Sequence, residues 1–106
     1  MIGIGEVIEF CRDELSIMDE VIVEVYLKDL TKDNVHGWCV DSSEFPGFGD
    51  NEYEIEIEET LNDDDMLVTL CHEMVHIKQY SEGNPSNERE AEELETVLAE
   101  KYKSIW

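Results

Sequence analysis

Leu70-Cys71-His72-Glu73-Met74-Val75-His76 places two histidines four residues apart, with a glutamate directly after the first. On a helix of 3.6 residues per turn, residues i and i+4 lie on one face, so both imidazoles can reach one metal ion. The stretch matches the H-E-x-x-H pattern, in which two histidines bind zinc. We therefore interpret His72 and His76 as zinc ligands, and Glu73 as the general base that takes a proton from a zinc-activated water.

This interpretation requires a helix, and the flanking residues predict one. Asn62 has the character of an N-cap, and three aspartates follow it where the positive end of the helix dipole favours carboxylates. Gly83 and then Pro85 predict the helix end. A core-facing stripe recurs at three- and four-residue intervals between these ends: Met66, Leu67, Leu70, Met74 and Ile77. The alternative is a chance match to a short pattern, and the helix with its cap favours the metal site.

The remaining sequence predicts an α+β order of one helix, three strands and two helices, in a single domain of 106 residues. The third strand carries outward glutamates, so we expect it at an edge of the sheet, where it either is protected by its charge or pairs with an extended peptide. The predicted elements are a helix over 4–18, strands over 21–27, 35–40 and 53–59, a loop over 41–51, the motif helix, and a last helix over about 85–103 capped by Asn84.

A catalytic zinc site needs a third protein ligand, and the last helix offers several glutamates. Stepping about 100° per residue from its apolar stripe, Glu90 points most nearly inward, whereas Glu95 and Glu88 point further away. We therefore predict Glu90 as the third ligand. Two alternatives remain open: Glu90 could form a capping box with Asn87, or His36 could be the third ligand, although a lone histidine is more often a structural hydrogen-bonding group.

The charge of the chain is strongly negative. It has 28 acidic and 7 basic residues, giving a formal net charge of −21. Such a charge repels nucleic acid and anionic membranes, so we expect neither as a partner. It favours a solvated acidic surface, with a docking surface for a basic partner or a DNA mimic as the alternative.

The three cysteines do not form a disulfide framework, because their number is odd and their spacing is irregular. We predict that Cys11, Cys39 and Cys71 are buried as thiols. The first residues lack a basic region followed by a long apolar run, and no stretch approaches the length of a membrane span. The expected location is therefore the cytoplasm.

Residues 69–80 followed by 87–91, with Gly37-Trp38-Cys39 and the strand over 53–57 upstream, resemble the minimal gluzincin metallopeptidases. These include small zincin-like proteins often carried by bacteriophages, and the SprT-like proteins are more distantly similar. The resemblance implies a zincin-like fold: a small three-stranded sheet backed by an N-terminal helix, an active-site helix and a C-terminal glutamate helix. It also implies a cleft lined by the 53–59 strand.

By the same resemblance, His72, His76 and Glu90 would bind zinc, and Glu73 would serve as general base and acid. The chain departs from the family at Leu94, where an acidic residue often stands, and at Cys71, where alanine is common. The oxyanion-stabilising group stays open, with the hydroxyls of Tyr53 and Tyr80 as candidates.

The expected function is a zinc-dependent peptidase that hydrolyses peptide bonds in a peptide or protein substrate. A function from a different class is also possible on these residues: a non-catalytic acidic interaction protein, stabilised by zinc or acting as a DNA mimic. A Glu73→Gln change distinguishes the two, because only the enzyme loses an activity while it keeps zinc.

Overall fold

Three α-helices and a three-stranded sheet form the described part of the chain, which in this computed structural model comprises residues 3–41 and 51–105. The predicted α+β class is confirmed. The elements are α1 (Ile4–Leu15), β1 (Ile22–Lys28), a 3₁₀ turn (Thr31–Asp33), β2 (Gly37–Asp41), β3 (Glu52–Glu58), α2 (Asp63–Ser81) and α3 (Glu88–Ser104). The predicted loop over 41–51 lies, apart from its ends, outside the described residues. In the ranges described, no helix has both the length and the apolar character of a membrane span.

The sheet has the strand order β1-β3-β2, with β3 parallel to β1 and antiparallel to β2. The prediction that β3 is an edge strand is therefore wrong. Its core-facing side chains, Tyr53, Ile55 and Ile57, are buried, as suits a central strand. On the open face, Glu56 pairs with Lys28 on one neighbouring strand and accepts a hydrogen bond from Trp38 on the other. The charge of Glu56 is thus matched across the sheet, and β2 is the edge strand that α2 packs against.

The core lies between the sheet and the helices, and α2 contacts the other two helices as well as β2 and β3. The predicted stripe on α2 is buried, as are Val7, Ile8, Cys11 and Leu15 on α1. Cys11 and Cys71 are buried thiols whose Sγ atoms are 3.8 Å apart, whereas Cys39 is half-buried. On α3 Val97 is exposed, as is Ile105 just after the helix, because α3 packs through a narrow stripe of Ala91, Leu98, Ala99 and Tyr102.

The helix ends determine where the functional residues lie. The predicted cap of α2 is confirmed, since the Asn62 side chain accepts a hydrogen bond from the N–H of Asp65 at 2.8 Å. The predicted start of α3 near Pro85 is wrong: the cap is Asn87, whose side chain accepts the N–H of Glu90 at 3.0 Å. Lys103 near the end of α3 pairs with Asp64 near the start of α2, so the two helices run antiparallel. The first residues of α3 therefore lie beside the second half of α2.

Candidate metal centre

The two motif histidines lie on one face of α2, as their spacing predicts. Their ring centroids are 4.8 Å apart, and their Nε2 atoms are 3.2 Å apart. His76 is buried and His72 is partly buried, so the helix holds both rings against the protein rather than in open solvent. The pair therefore presents two Nε2 atoms to one point at the surface.

Glu88, the first residue of α3, completes a group of three at that point. Its Oε1 lies 2.7 Å from Nε2 of His76, and its Oε2 lies 3.1 Å from Nε2 of His72. The Glu88 side chain is otherwise largely exposed, with a relative accessibility of 65%. Within the described residues, His72, His76 and Glu88 form a group that could hold a metal ion.

Glu90, the predicted third ligand, lies outside this group. Its carboxylate accepts a hydrogen bond from the Nε2 of Gln79 at 2.9 Å, on the flank of the site. The helix start at Asn87 explains the difference, because it makes Glu88 the first helical residue. Side chains of a helix lean toward its N-terminus, so the Glu88 carboxylate extends past the helix end toward the histidines. The capping spacing from Asn87 to Glu90 was the sequence signal that could have identified this start.

Hydrogen bonds to the other ring nitrogens determine which tautomer each histidine adopts. Nδ1 of His72 lies 2.9 Å from Oε2 of Glu95, and Nδ1 of His76 lies 2.9 Å from Oε1 of Gln79. The Gln79 oxygen is identified by the backbone N–H of Asn87, which donates to the same atom at 3.0 Å. Both Nδ1 atoms thus face acceptors to which they can donate a hydrogen, and in the neutral form of each ring this leaves a lone pair on Nε2.

With both rings neutral, two imidazole nitrogens and a carboxylate converge without a hydrogen between them, and a bound cation would satisfy all three. A single proton on one ring could bridge only one of the three contacts. Two imidazoles and a carboxylate are the protein ligands of one class of catalytic zinc site, with bonds of about 2.0 to 2.2 Å and tetrahedral geometry. Such bonds place neighbouring ligand atoms about 3.3 Å apart, close to the 2.7, 3.1 and 3.2 Å found here. The group fits zinc.

Glu73 lies beside this group in a buried position, with 6% of its side chain exposed. Burial raises the pKa of the Glu73 carboxyl from its ordinary value of 4.5, and this effect outweighs the two histidines, which lower it. The carboxyl is therefore a more effective proton acceptor, when ionised, than a solvated glutamate. Its position next to His72 in the sequence keeps it near the three ligands without joining them.

An open pocket of about 450 Å³ borders the site between α2 and the segment that leads into β2. Gly37 makes the close approach possible, since a Cβ atom there would lie 2.8 Å from the Thr69 side chain on α2. Glu73 and His72 both line this pocket. Its lining comprises Asn34, Val35, His36, Gly37, Val68, Thr69, His72, Glu73 and Glu95.

The other sequence candidates have different positions. His36, the competing third ligand, is exposed on the pocket wall and does not belong to the three-residue group. The Tyr53 side chain is buried in the hydrophobic core, away from the pocket lining. The Tyr80 ring stacks near His76, with centroids 6.1 Å apart. Of the two tyrosines proposed for the oxyanion, only Tyr80 thus lies beside the site.

The geometry of the site can be set against known proteins. Comparisons with protein-family models, with curated proteins and with solved structures give no match in any of the three. The resemblance to minimal gluzincins therefore rests on the motif residues alone.

Proposed function

We propose that the protein is a zinc-dependent peptidase whose metal is held by His72, His76 and Glu88. The observation that carries the proposal is the convergence of two Nε2 lone pairs and a carboxylate within 4.8 Å of one another. Glu73, buried beside them, supplies the acid–base group, and the neighbouring pocket provides room for a substrate. These parts together favour hydrolysis over a purely structural metal site, which would be closed by a fourth protein ligand.

A zinc ion held by His72, His76 and Glu88 would supply a Lewis acid that polarises a substrate carbonyl and lowers the pKa of a water molecule. Glu73 accepts the proton of the attacking water and then donates it to the departing amine. The helix places it one residue from His72, and its side chain lines the pocket beside the three-residue group. Glu95 holds the His72 ring through Nδ1, so that the ring cannot turn its lone pair away.

We infer that the substrate is a peptide bound in extended conformation. Among the described strands β2 lies at an edge of the sheet, next to β3, and strand addition at such an edge is one way in which proteins bind an extended peptide. The residues just before β2 form the pocket wall that faces His72 and Glu73. A peptide bound along this edge would pass its backbone carbonyls by the metal group, without a deep specificity pocket.

Hydrolysis of casein and of fluorogenic peptide mixtures by the zinc-loaded protein tests this function. We expect Glu73→Gln to lower the rate by about 10²- to 10⁴-fold, the range for losing general acid–base catalysis, while zinc binding persists. Glu92→Gln is the matched control, because it makes the same charge change at an exposed position on α3. Equal hydrolysis by wild type and Glu73→Gln would refute the peptidase proposal and indicate a contaminating protease.

A further inference from the structure

Gln79 connects two of the three metal-binding residues through a single side chain. The side chain is buried, with 3% exposed, at the end of the motif helix. Its Oε1 accepts hydrogen bonds from Nδ1 of His76 and from the backbone N–H of Asn87, at 2.9 and 3.0 Å. Its Nε2 donates to the backbone carbonyl of Asn87 at 3.1 Å and to Glu90 at 2.9 Å. All of its hydrogen-bonding groups are therefore engaged at the junction of α2 and α3.

The two contacts with Asn87 determine the position of Glu88. Asn87 is the cap of α3, and Glu88 is the next residue, so a two-point bond to the Asn87 backbone fixes the point from which the Glu88 side chain extends. The preceding segment, 84–87, is neither helix nor strand, and backbone hydrogen bonds from Gly83 to Tyr80 and from Asn84 to Gln79 close the turn before it. Gln79 supplies this restraint from α2.

We propose that Gln79 is a positioning residue that assembles the metal centre, an inference that rests on the proposed function. It orients His76 by accepting the Nδ1 hydrogen, which directs the Nε2 lone pair to the metal position. Through Asn87 it brings Glu88 within reach of both rings. Its bond to Glu90 keeps that carboxylate engaged on the flank, so that only Glu88 enters the group.

Two substitutions separate these roles. Gln79→Met keeps the length of the side chain and removes every hydrogen bond, so it should release both His76 and Asn87. Gln79→Glu keeps an acceptor for His76 but loses the donor to Asn87, and it places a second carboxylate beside Glu90. Ser81→Ala is the matched control, because its hydroxyl bonds only the Lys78 carbonyl in the same last turn.

The first measurement uses the metal-free protein, labelled with ¹⁵N-histidine, at an alkaline pH where imidazoles are neutral. Long-range ¹H–¹⁵N correlation then identifies the tautomer of each ring, and His36 serves as an internal reference. We expect the Nδ1–H tautomer at His76 in wild type, Gln79→Glu and Ser81→Ala, and a shift toward the Nε2–H form in Gln79→Met. An Nε2–H tautomer in wild type, or an unchanged one in Gln79→Met, would overturn the assignment; the wild-type result does so even if a variant fails to fold.

The second measurement is the zinc dissociation constant, obtained by competition with a chelating dye. Loss of a partner that orients a ligand weakens metal binding about 10- to 100-fold, and we expect this range for Gln79→Met and Gln79→Glu but not for Ser81→Ala. Equal affinity in all four proteins would overturn the role at Glu88. If wild type binds no zinc while the tautomers change as expected, the proposed function fails and the orienting role of Gln79 toward His76 stands.

Discussion

Two glutamates in this protein, Glu58 at the end of β3 and Glu88 at the start of α3, meet opposite kinds of neighbour. The Glu58 carboxylate accepts hydrogen bonds from the backbone N–H of Leu30 at 2.7 Å, and from both the backbone and the hydroxyl of Thr60. The Glu88 carboxylate instead faces the Nε2 atoms of two histidines, whose Nδ1 atoms face the acceptors Glu95 and Gln79.

The difference is between a carboxylate whose hydrogen-bond donors come from the protein and one placed in a group that could hold a metal ion. Glu58 is buried, and its donors lower the pKa of its carboxyl below 4.5, so its charge stabilises the fold directly. Glu88 is largely exposed and contacts only electron-rich nitrogens among the described residues. Its contribution should therefore become favourable when a metal binds. Four measurements test this difference between Glu58 and Glu88.

The largest effect should come from His76→Ala. This variant removes one of the three proposed ligands. Its zinc affinity should fall by more than about 100-fold, which is the upper end of the loss expected when only a residue that orients a ligand is removed. The zinc dissociation constant, measured by dye competition, gives the result. His36→Ala is the control, since that histidine lies outside the group. Equal zinc affinity in His76→Ala and wild type would remove the basis of the contrast.

Glu88→Gln should weaken zinc binding by about 100-fold, because the variant loses the negative charge of the ligand but keeps an amide oxygen in its place. Glu90→Gln makes the same charge change two residues away and should cost at most a few-fold, because Glu90 bonds Gln79 and not the histidines. Isothermal titration with zinc compares the two variants directly. A larger loss in Glu90→Gln would restore the ligand that the sequence predicted.

Zinc should slow amide hydrogen exchange more at the start of α3 than in α2. Glu88 is exposed and held at a helix start, whereas the histidines lie on a helix that is already buried in the core. We expect zinc to slow amide hydrogen exchange by about 10-fold or more in residues 84–91, and less in residues 70–76, where core packing already limits opening. Uniform slowing along both segments would indicate that the two sides of the site are equally preformed.

The smallest effect should be a pH-dependent loss of stability in Glu58→Gln. Because the folded pKa is lowered, the carboxylate stabilises the fold fully above pH 4.5, and this contribution disappears as the pH falls through the folded value. Urea midpoints should therefore be lower than wild type at pH 7 and should converge with it in acid. Glu59→Gln, at an exposed neighbour, should match wild type throughout. A constant difference at every pH would show that the charge of Glu58 is unimportant.

Sequence reasoning recovered what depends on local spacing. The motif helix, its cap at Asn62, and the burial of the apolar stripe all follow from residues a few positions apart. The third carboxylate could not be found in the same way. Angles counted along α3 favoured Glu90, but the helix begins at Glu88, and a long side chain at a helix start can reach past the end of the helix.

The order of the strands in the sheet also could not be predicted from the sequence. The outward glutamates of β3 suggested an edge, yet Lys28 and Trp38 on the neighbouring strands pair with Glu56 in the centre of the sheet. Alternation reveals which face of a strand is open, and it does not reveal how many neighbours the strand has. The role of Gln79 was equally hidden, because two of its three partners, Asn87 and Glu90, lie at the start of the next helix.

The zinc content of the protein is the most direct test of whether His72, His76 and Glu88 form a metal site. The protein is reconstituted with zinc, dialysed against metal-free buffer and analysed for zinc and sulfur together, which gives the number of ions per chain without a calibration of protein concentration. The arrangement of His72, His76 and Glu88 leads us to expect one zinc ion per chain, and none in the His72→Ala/His76→Ala double variant. If the wild-type protein retains no zinc, or if the double variant retains as much as the wild type, these three residues do not form a zinc site.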